Sequence, residues 1–84
     1  MEERKIGNIS HFFDKISVGV IALDDDLKVG DNIHIKGPIT DFDQEITSMQ
    51  IDRSVVKEAK AGQSVGLKLI EKARSHDVIY KIIS

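Results

Sequence analysis

The chain has 84 residues, 31% of them charged and 40% apolar, with a formal net charge of −2. That length builds one domain around one core, and the slight negative charge gives no global field to draw in nucleic acid. The absence of cysteine excludes disulfides, thiolate metal sites and a cysteine nucleophile, and no apolar run approaches the roughly 20 residues of a membrane helix.

Residues 1–4 read as a charged, disordered tail, and residues 5–84 as the folded domain. Residues 5–13 form a first strand, in which Ile6 and Ile9 alternate imperfectly. Asp14-Lys15 is a two-residue turn into a second strand over 16–23, with Ile16, Val18, Val20 and Ala22 on one face. Asp24-Asp25-Asp26 interrupts the pattern. It lacks the glycine and terminal glutamate of a calcium loop and reads as a solvated turn. A third strand covers 32–36 and ends at Gly37-Pro38, since proline cannot donate to a ladder. The fourth and longest strand covers 41–53. Its apolar set changes face between Ile46 and Met49, which predicts a bulge or sharp bend near Ser48 of the kind that lets a small sheet close. Residues 56–60 read as a single helical turn, 65–69 as a fifth strand, 71–76 as a polar loop and 78–83 as a closing strand.

One phrase occurs twice. Leu27-Lys28-Val29-Gly30-Asp31 precedes the third strand, and Ala59-Lys60-Ala61-Gly62-Gln63 precedes the fifth. Each places a glycine where a tight turn needs positive φ. A shortened echo begins at Asp77. Strands of this length, with turn signals roughly every ten residues, predict an all-β domain, a sandwich or a barrel.

Chemistry-bearing motifs are scarce. No phosphate-binding glycine loop is present. Gly62 to Gly66 sits between a turn and a strand, with no helix behind it to hold an anion. His11, His34 and His76 are far apart in sequence, and metal binding would need the fold to gather them, although His11 and His34 are candidates for adjacent strands. Between Arg53 and Lys81 there are seven basic residues against three acidic ones. Lys57, Lys60, Lys68, Lys72 and Arg74, with Arg53 as an addition, are therefore candidates for RNA phosphate contacts; the alternative is a solvated surface. Phe12 and Phe13 must face opposite sides of a strand. They offer a stacking or protein-contact platform, or else one core ring beside one covering the end of a barrel.

Several phrases in order carry a family resemblance. They are Ile6-Gly7-Asn8-Ile9, Val18-Gly19-Val20-Ile21-Ala22-Leu23, Leu27-Lys28-Val29-Gly30-Asp31-Asn32-Ile33, Ile46-Thr47-Ser48-Met49-Gln50-Ile51, Val56-Lys57-Glu58-Ala59 and Ala61-Gly62-Gln63-Ser64-Val65-Gly66-Leu67. Through them the chain resembles the second-domain β-barrel of translation GTPases such as elongation factor Tu, from about Lys5 to Ile83. Phe42-Asp43-Gln44 ahead of Ser48-Met49-Gln50 is similar to small stand-alone elongation-factor-like proteins and to the C-terminal barrel appended to some collagenase-like peptidases. The resemblance implies a single closed barrel of about six antiparallel strands used as a binding scaffold. The guanine-nucleotide domain is absent, so neither nucleotide binding nor GTPase activity carries over. The last turn reads His76-Asp77 where the pattern has Gly-Asp, which implies either a left-handed His76 or a different turn.

These readings lead to a non-catalytic, cytoplasmic module with no catalytic residue, cofactor or metal. Its first expected role is binding RNA (tRNA or rRNA) or a ribonucleoprotein. The alternative is an adaptor that docks onto a separate enzyme, peptidase-like or a translation GTPase, through Phe12 and Phe13. Salt separates the two, because phosphate binding weakens steeply with salt and apolar contact does not.

Overall fold

Ten strands follow one another along residues 2–83, the part of the chain that the structure, a computed structural model, describes. They are β1 (Glu2–Phe13), β2 (Val18–Leu23), β3 (Leu27–Lys28), β4 (Asn32–Lys36), β5 (Asp41–Glu45), β6 (Met49–Ile51), β7 (Ser54–Val56), β8 (Glu58–Ala59), β9 (Ser64–Lys68) and β10 (Val78–Ile83). Eight of them make one antiparallel sheet in the order β5-β4-β10-β1-β2-β9-β6-β7, and β3 pairs with β8. No helix occurs among the described residues.

The all-β expectation holds, but the closed six-stranded barrel does not form. The sheet is open: no ladder joins β5 to β6 or β7 among the described residues. The cause lies in the long fourth strand, which breaks into β5 and β6 at residues 46–48. The Ile46 peptide is committed to the preceding turn, since its N–H donates to Asp31 O (2.8 Å) and its O accepts from Gly30 N (2.9 Å). The Gln44 side chain spans the gap instead of a ladder. Its Nε2 donates to Lys68 O (2.9 Å) and its Oε1 accepts from Ile70 N (2.8 Å), so one amide does the work of a peptide.

The sheet curls around a single core of Ile6, Ile9, Ile21, Ile33, Ile35, Leu67 and Ile79, with Met49, Val65 and smaller residues between them. The imperfect spacing in β1 has a cause. The register shifts between Lys5 and Gly7 against β10, and between Ile9 and His11 against β2. Each bulge resets the alternation, so Ile6 and Ile9 both point inward and Phe12 packs against the same core.

Other boundaries differ from the sequence reading. Glu2–Arg4, read as tail, extend β1 opposite Lys81, Ile82 and Ile83; Met1 lies outside the described residues. The turn after β1 is longer than Asp14-Lys15, because β2 starts only at Val18 and Ser17 takes positive φ (54°). Residues 56–60 are extended, since Ala59 is buried opposite Leu27 and this pairing overrides a weak helical preference.

The repeated phrase has three structural copies. In Lys28–Asp31, Lys60–Gln63 and Arg74–Asp77, the fourth residue's N–H donates to the first residue's O at 3.1 Å. The fourth side chain in turn accepts from the first N–H, at 3.0 Å for Asp31, 2.7 Å for Gln63 and 2.9 Å for Asp77. The third residue has positive φ in each copy: Gly30 (99°), Gly62 (91°) and His76 (77°). His76 thus adopts the left-handed alternative, a conformation that favours glycine. A buried residue precedes every copy: Leu27, Ala59 and Ala73.

Candidate functional site

Strand β2 is apolar on both faces. Gly19, Ile21 and Leu23 point inward, while Val18, Val20 and Ala22 point outward. The set that the alternation groups together therefore belongs to the outer face, and the core takes the other set. Across the register, Phe13 stands opposite Val18 and His11 opposite Val20. On the far side, Gly66 stands opposite both Val20 on β2 and Gln50 on β6, and Gln50 stands opposite Val55 on β7.

This outer face holds an open groove of about 490 Å³, walled by Phe13, Ile16, Val18, Val20, Gln50 and Arg53. Gly66 forms part of its floor. A Cβ there would lie 3.5 Å from Val18 Cγ1 and 3.8 Å from Gln50 O, an ordinary contact, so the absent side chain supplies depth and relieves no clash. Phe13 is 46% exposed, Ile16 55% and Val55 73%. These exposed apolar side chains make the outer face a candidate contact surface. The His11 ring packs edge-on against Phe13, with centroids 4.3 Å apart, and holds the phenyl ring in place.

The turn between β6 and β7 frames one end of the groove. Asp52 (φ 50°) and Arg53 (φ 67°) are both left-handed, as a two-residue hairpin demands. Aspartate tolerates this region, so the strain, about 1–2 kcal/mol, falls mainly on Arg53. The turn holds Arg53 beside the apolar wall.

The six basic candidates do not share a groove. Lys57 lines a hollow with Lys28 and Glu58, and Lys60 an adjoining one that shares those two residues and adds Asp26 and Lys81. Lys72 and Arg74 flank Phe12, and Lys68 sits near Thr47 and Ser48. Several of these cations are engaged. Lys60 Nζ is 3.7 Å from Asp26 and 3.9 Å from Glu58, and Lys72 Nζ is 3.8 Å from Asp14. Lys68 Nζ donates to Ile16 O (2.7 Å). Of the two aromatic candidates, Phe13 joins the exposed face and Phe12 turns to the core.

The aspartate run is occupied with local bonds. Asp25 accepts from Asp26 N (2.8 Å) and Arg4 Nη1 (3.2 Å), and both hold its carboxyl below the usual range. Asp26 accepts from Ala61 N (3.2 Å). Strand β10 separates His11 on β1 from His34 on β4. Among the described residues no group of three histidine or carboxylate side chains is arranged to hold a metal ion, and no helix is long and apolar enough to cross a membrane.

Two features are not evident from the residues alone: the outward direction of the Val18–Val20 stripe and the Asp52-Arg53 turn. The first had a signal. Ile21 and Leu23 alternate with Val18 and Val20, so one strand offers apolar residues to both sides, whereas a solvated sheet face alternates with polar residues.

No family model matches the chain. An uncharacterised protease of Methanocaldococcus jannaschii is 43% identical over 77 residues, which cover 90% of this chain and 19% of the relative. The chain thus spans about a fifth of that relative's length. Among solved structures, the C-terminal domain of a U32 peptidase from Geobacillus thermoleovorans matches with a TM-score of 0.88 at 17% identity, covering 95% of this chain and 93% of that domain. Its selenomethionine variant matches with a TM-score of 0.86 at 16% identity, covering 90% and 96%. These structures share the fold. The resemblance to the barrel of collagenase-like peptidases accords with these findings, and the resemblance to the elongation factor Tu domain finds no support in them.

Proposed function

We propose that this chain is a non-catalytic docking module whose apolar outer face packs against a peptidase-like catalytic unit. The observation that carries the reading is the groove between β2 and β6, flanked by exposed Phe13 and Ile16. Covering the exposed part of those two side chains supplies about 1–2 kcal/mol each. A peptidase-like occupant fits the similar proteins: the relative carries roughly four-fifths of its length outside the matched segment, and the structural neighbours are C-terminal domains of a larger peptidase. The polar lining of the groove is Gln50, Asp52, Arg53 and Ser64. The RNA reading rests on the charge excess of the sequence; the fold puts Lys57 and Lys60 in adjoining hollows and Lys72 with Arg74 in another.

The test is calorimetric titration of this chain into the M. jannaschii relative made without its matched segment, at low and moderate salt. A complex whose affinity changes little with salt is the expected result. Phe13→Asp with Ile16→Asp should weaken it at least tenfold without moving the Tm, and Lys57→Gln with Lys72→Gln should leave it unchanged. No complex, or one lost through the lysine changes and raised salt, overturns the proposal.

A further inference from the structure

The outer face on the opposite side of the sheet is charged and centres on His34. This residue lies in the middle of β4, with Tyr80 of β10 and Asp43 of β5 as its Cα partners. Its side chain is only 14% exposed. Nδ1 lies 2.9 and 3.1 Å from the two carboxylate oxygens of Glu3, on β1. Nε2 lies 2.5 Å from Asp41 Oδ1 and 3.9 Å from Asp43 Oδ1, both on β5. The Tyr80 ring is 6.1 Å away, centroid to centroid. Neighbouring register positions add Lys5, opposite Tyr80, and Lys36, opposite Asp41.

Hydrogen-bond chemistry limits the protonation state of this cluster. An ionised carboxylate only accepts, and a neutral imidazole has one N–H. A ring with a carboxylate at each nitrogen satisfies both only as the imidazolium. When one proton leaves, a lone pair faces a carboxylate, and one of the two contacts turns from attraction to repulsion.

The Glu3 side is the weaker attachment. Residues 2–5 of β1 pair with β10 alone, because pairing with β2 begins at Gly7. The register shift between Lys5 and Gly7 separates this arm from the rest of the strand. Apart from its single ladder, the arm is tied by Glu3 to His34 and by Arg4 to Asp25. Asp41, by contrast, sits on a hairpin paired to β4 along five register positions.

We propose that His34 is a proton-operated latch: as an imidazolium it ties the arm of β1 to the β4–β5 hairpin across β10, and on losing its Nδ1 proton it lets the arm go. The electrostatics agree. Asp41 raises the His34 pKa above its ordinary 6.5, partial burial opposes this, and Glu3 and Asp43 raise it further. A pKa raised by folding means that the tie is complete below the unfolded value and is lost as pH rises through the folded one.

The experiment follows the His34 ring nitrogens by NMR through a pH titration and measures amide exchange at residues 2–5 and 18–23, scaled to intrinsic rates. In the unaltered chain His34 should titrate above 6.5, and protection at residues 2–5 should fall several-fold through the same midpoint while 18–23 hold. Glu3→Gln should lower the midpoint, and His34→Gln should remove the pH dependence of the arm. Titration at or below 6.5, or arm protection that ignores the His34 midpoint, overturns the latch.

Discussion

The two halves of the sheet share one core and differ in what they show to the outside. Strands β4 and β5 alternate cleanly: Ile33, Ile35 and Phe42 point inward, while His34, Asp41 and Asp43 point outward. Strand β2 and its neighbours place Val18, Val20 and Phe13 outward as well. The inner faces meet the same demand, removal of apolar area from water, and are built alike. The difference therefore lies in the outer faces themselves. One half meets water and holds itself with charge, and the other carries apolar surface that water does not favour.

A matched pair of glycines gives the sharpest contrast. In the charged half, a Cβ at Gly37 would lie 1.9 Å from Asp77 Oδ1, inside the buried turn that Asp77 holds. Gly37→Ala should cost about 3 kcal/mol by overpacking. In the apolar half, Gly66→Ala should cost well under that, because its Cβ finds ordinary contact. Urea unfolding of both variants checks the pair, and equal losses would break the contrast.

The seam between the halves comes next. Gln44→Leu keeps the volume of the side chain but removes both bonds across the gap between β5 and the end of β9, leaving Lys68 O and Ile70 N without that partner. A loss of about 2 kcal/mol is expected, with faster amide exchange in β5 than in β2. A uniform change along the sheet would show that the two halves open as one.

The smallest effect is a gain. His76 occupies the left-handed place that Gly30 and Gly62 hold in the other two turns. His76→Gly should stabilise the chain by about 1 kcal/mol, read as a rise in Tm. A fall would mean that the imidazole makes a contribution exceeding its backbone strain.

Much of this architecture is legible in the residues. β4 and β10 lie where alternation and the Gly37-Pro38 stop place them, and the two glycine turns announce themselves. The break at residues 46–48 is legible as a bend, but its consequence is not: whether a bent strand closes a ring depends on which partner takes the Ile46 peptide, and that partner is Asp31. The candidate groove is half legible. Val18 and Val20 are visible as a stripe, yet periodicity does not say which side of a strand is the core. The His34 cluster is not legible, because Glu3, His34 and Asp41 meet only once β10 lies between β1 and β4. The grouping of the basic residues is not legible either, because closeness along the chain is not closeness on a curved sheet.

The position of β10 also sets the order of assembly. This last strand of the described chain fills the slot between the first strand and the β4–β5 hairpin, with Glu2 opposite Ile83. On a ribosome, the hairpin has no ladder joining it to the rest until residues 78–83 emerge. Until then two strand edges stand open, one on each side of the empty slot, and such edges invite pairing with other chains. Because that closure joins the most distant parts of the chain, it carries the largest loop entropy and comes late in folding.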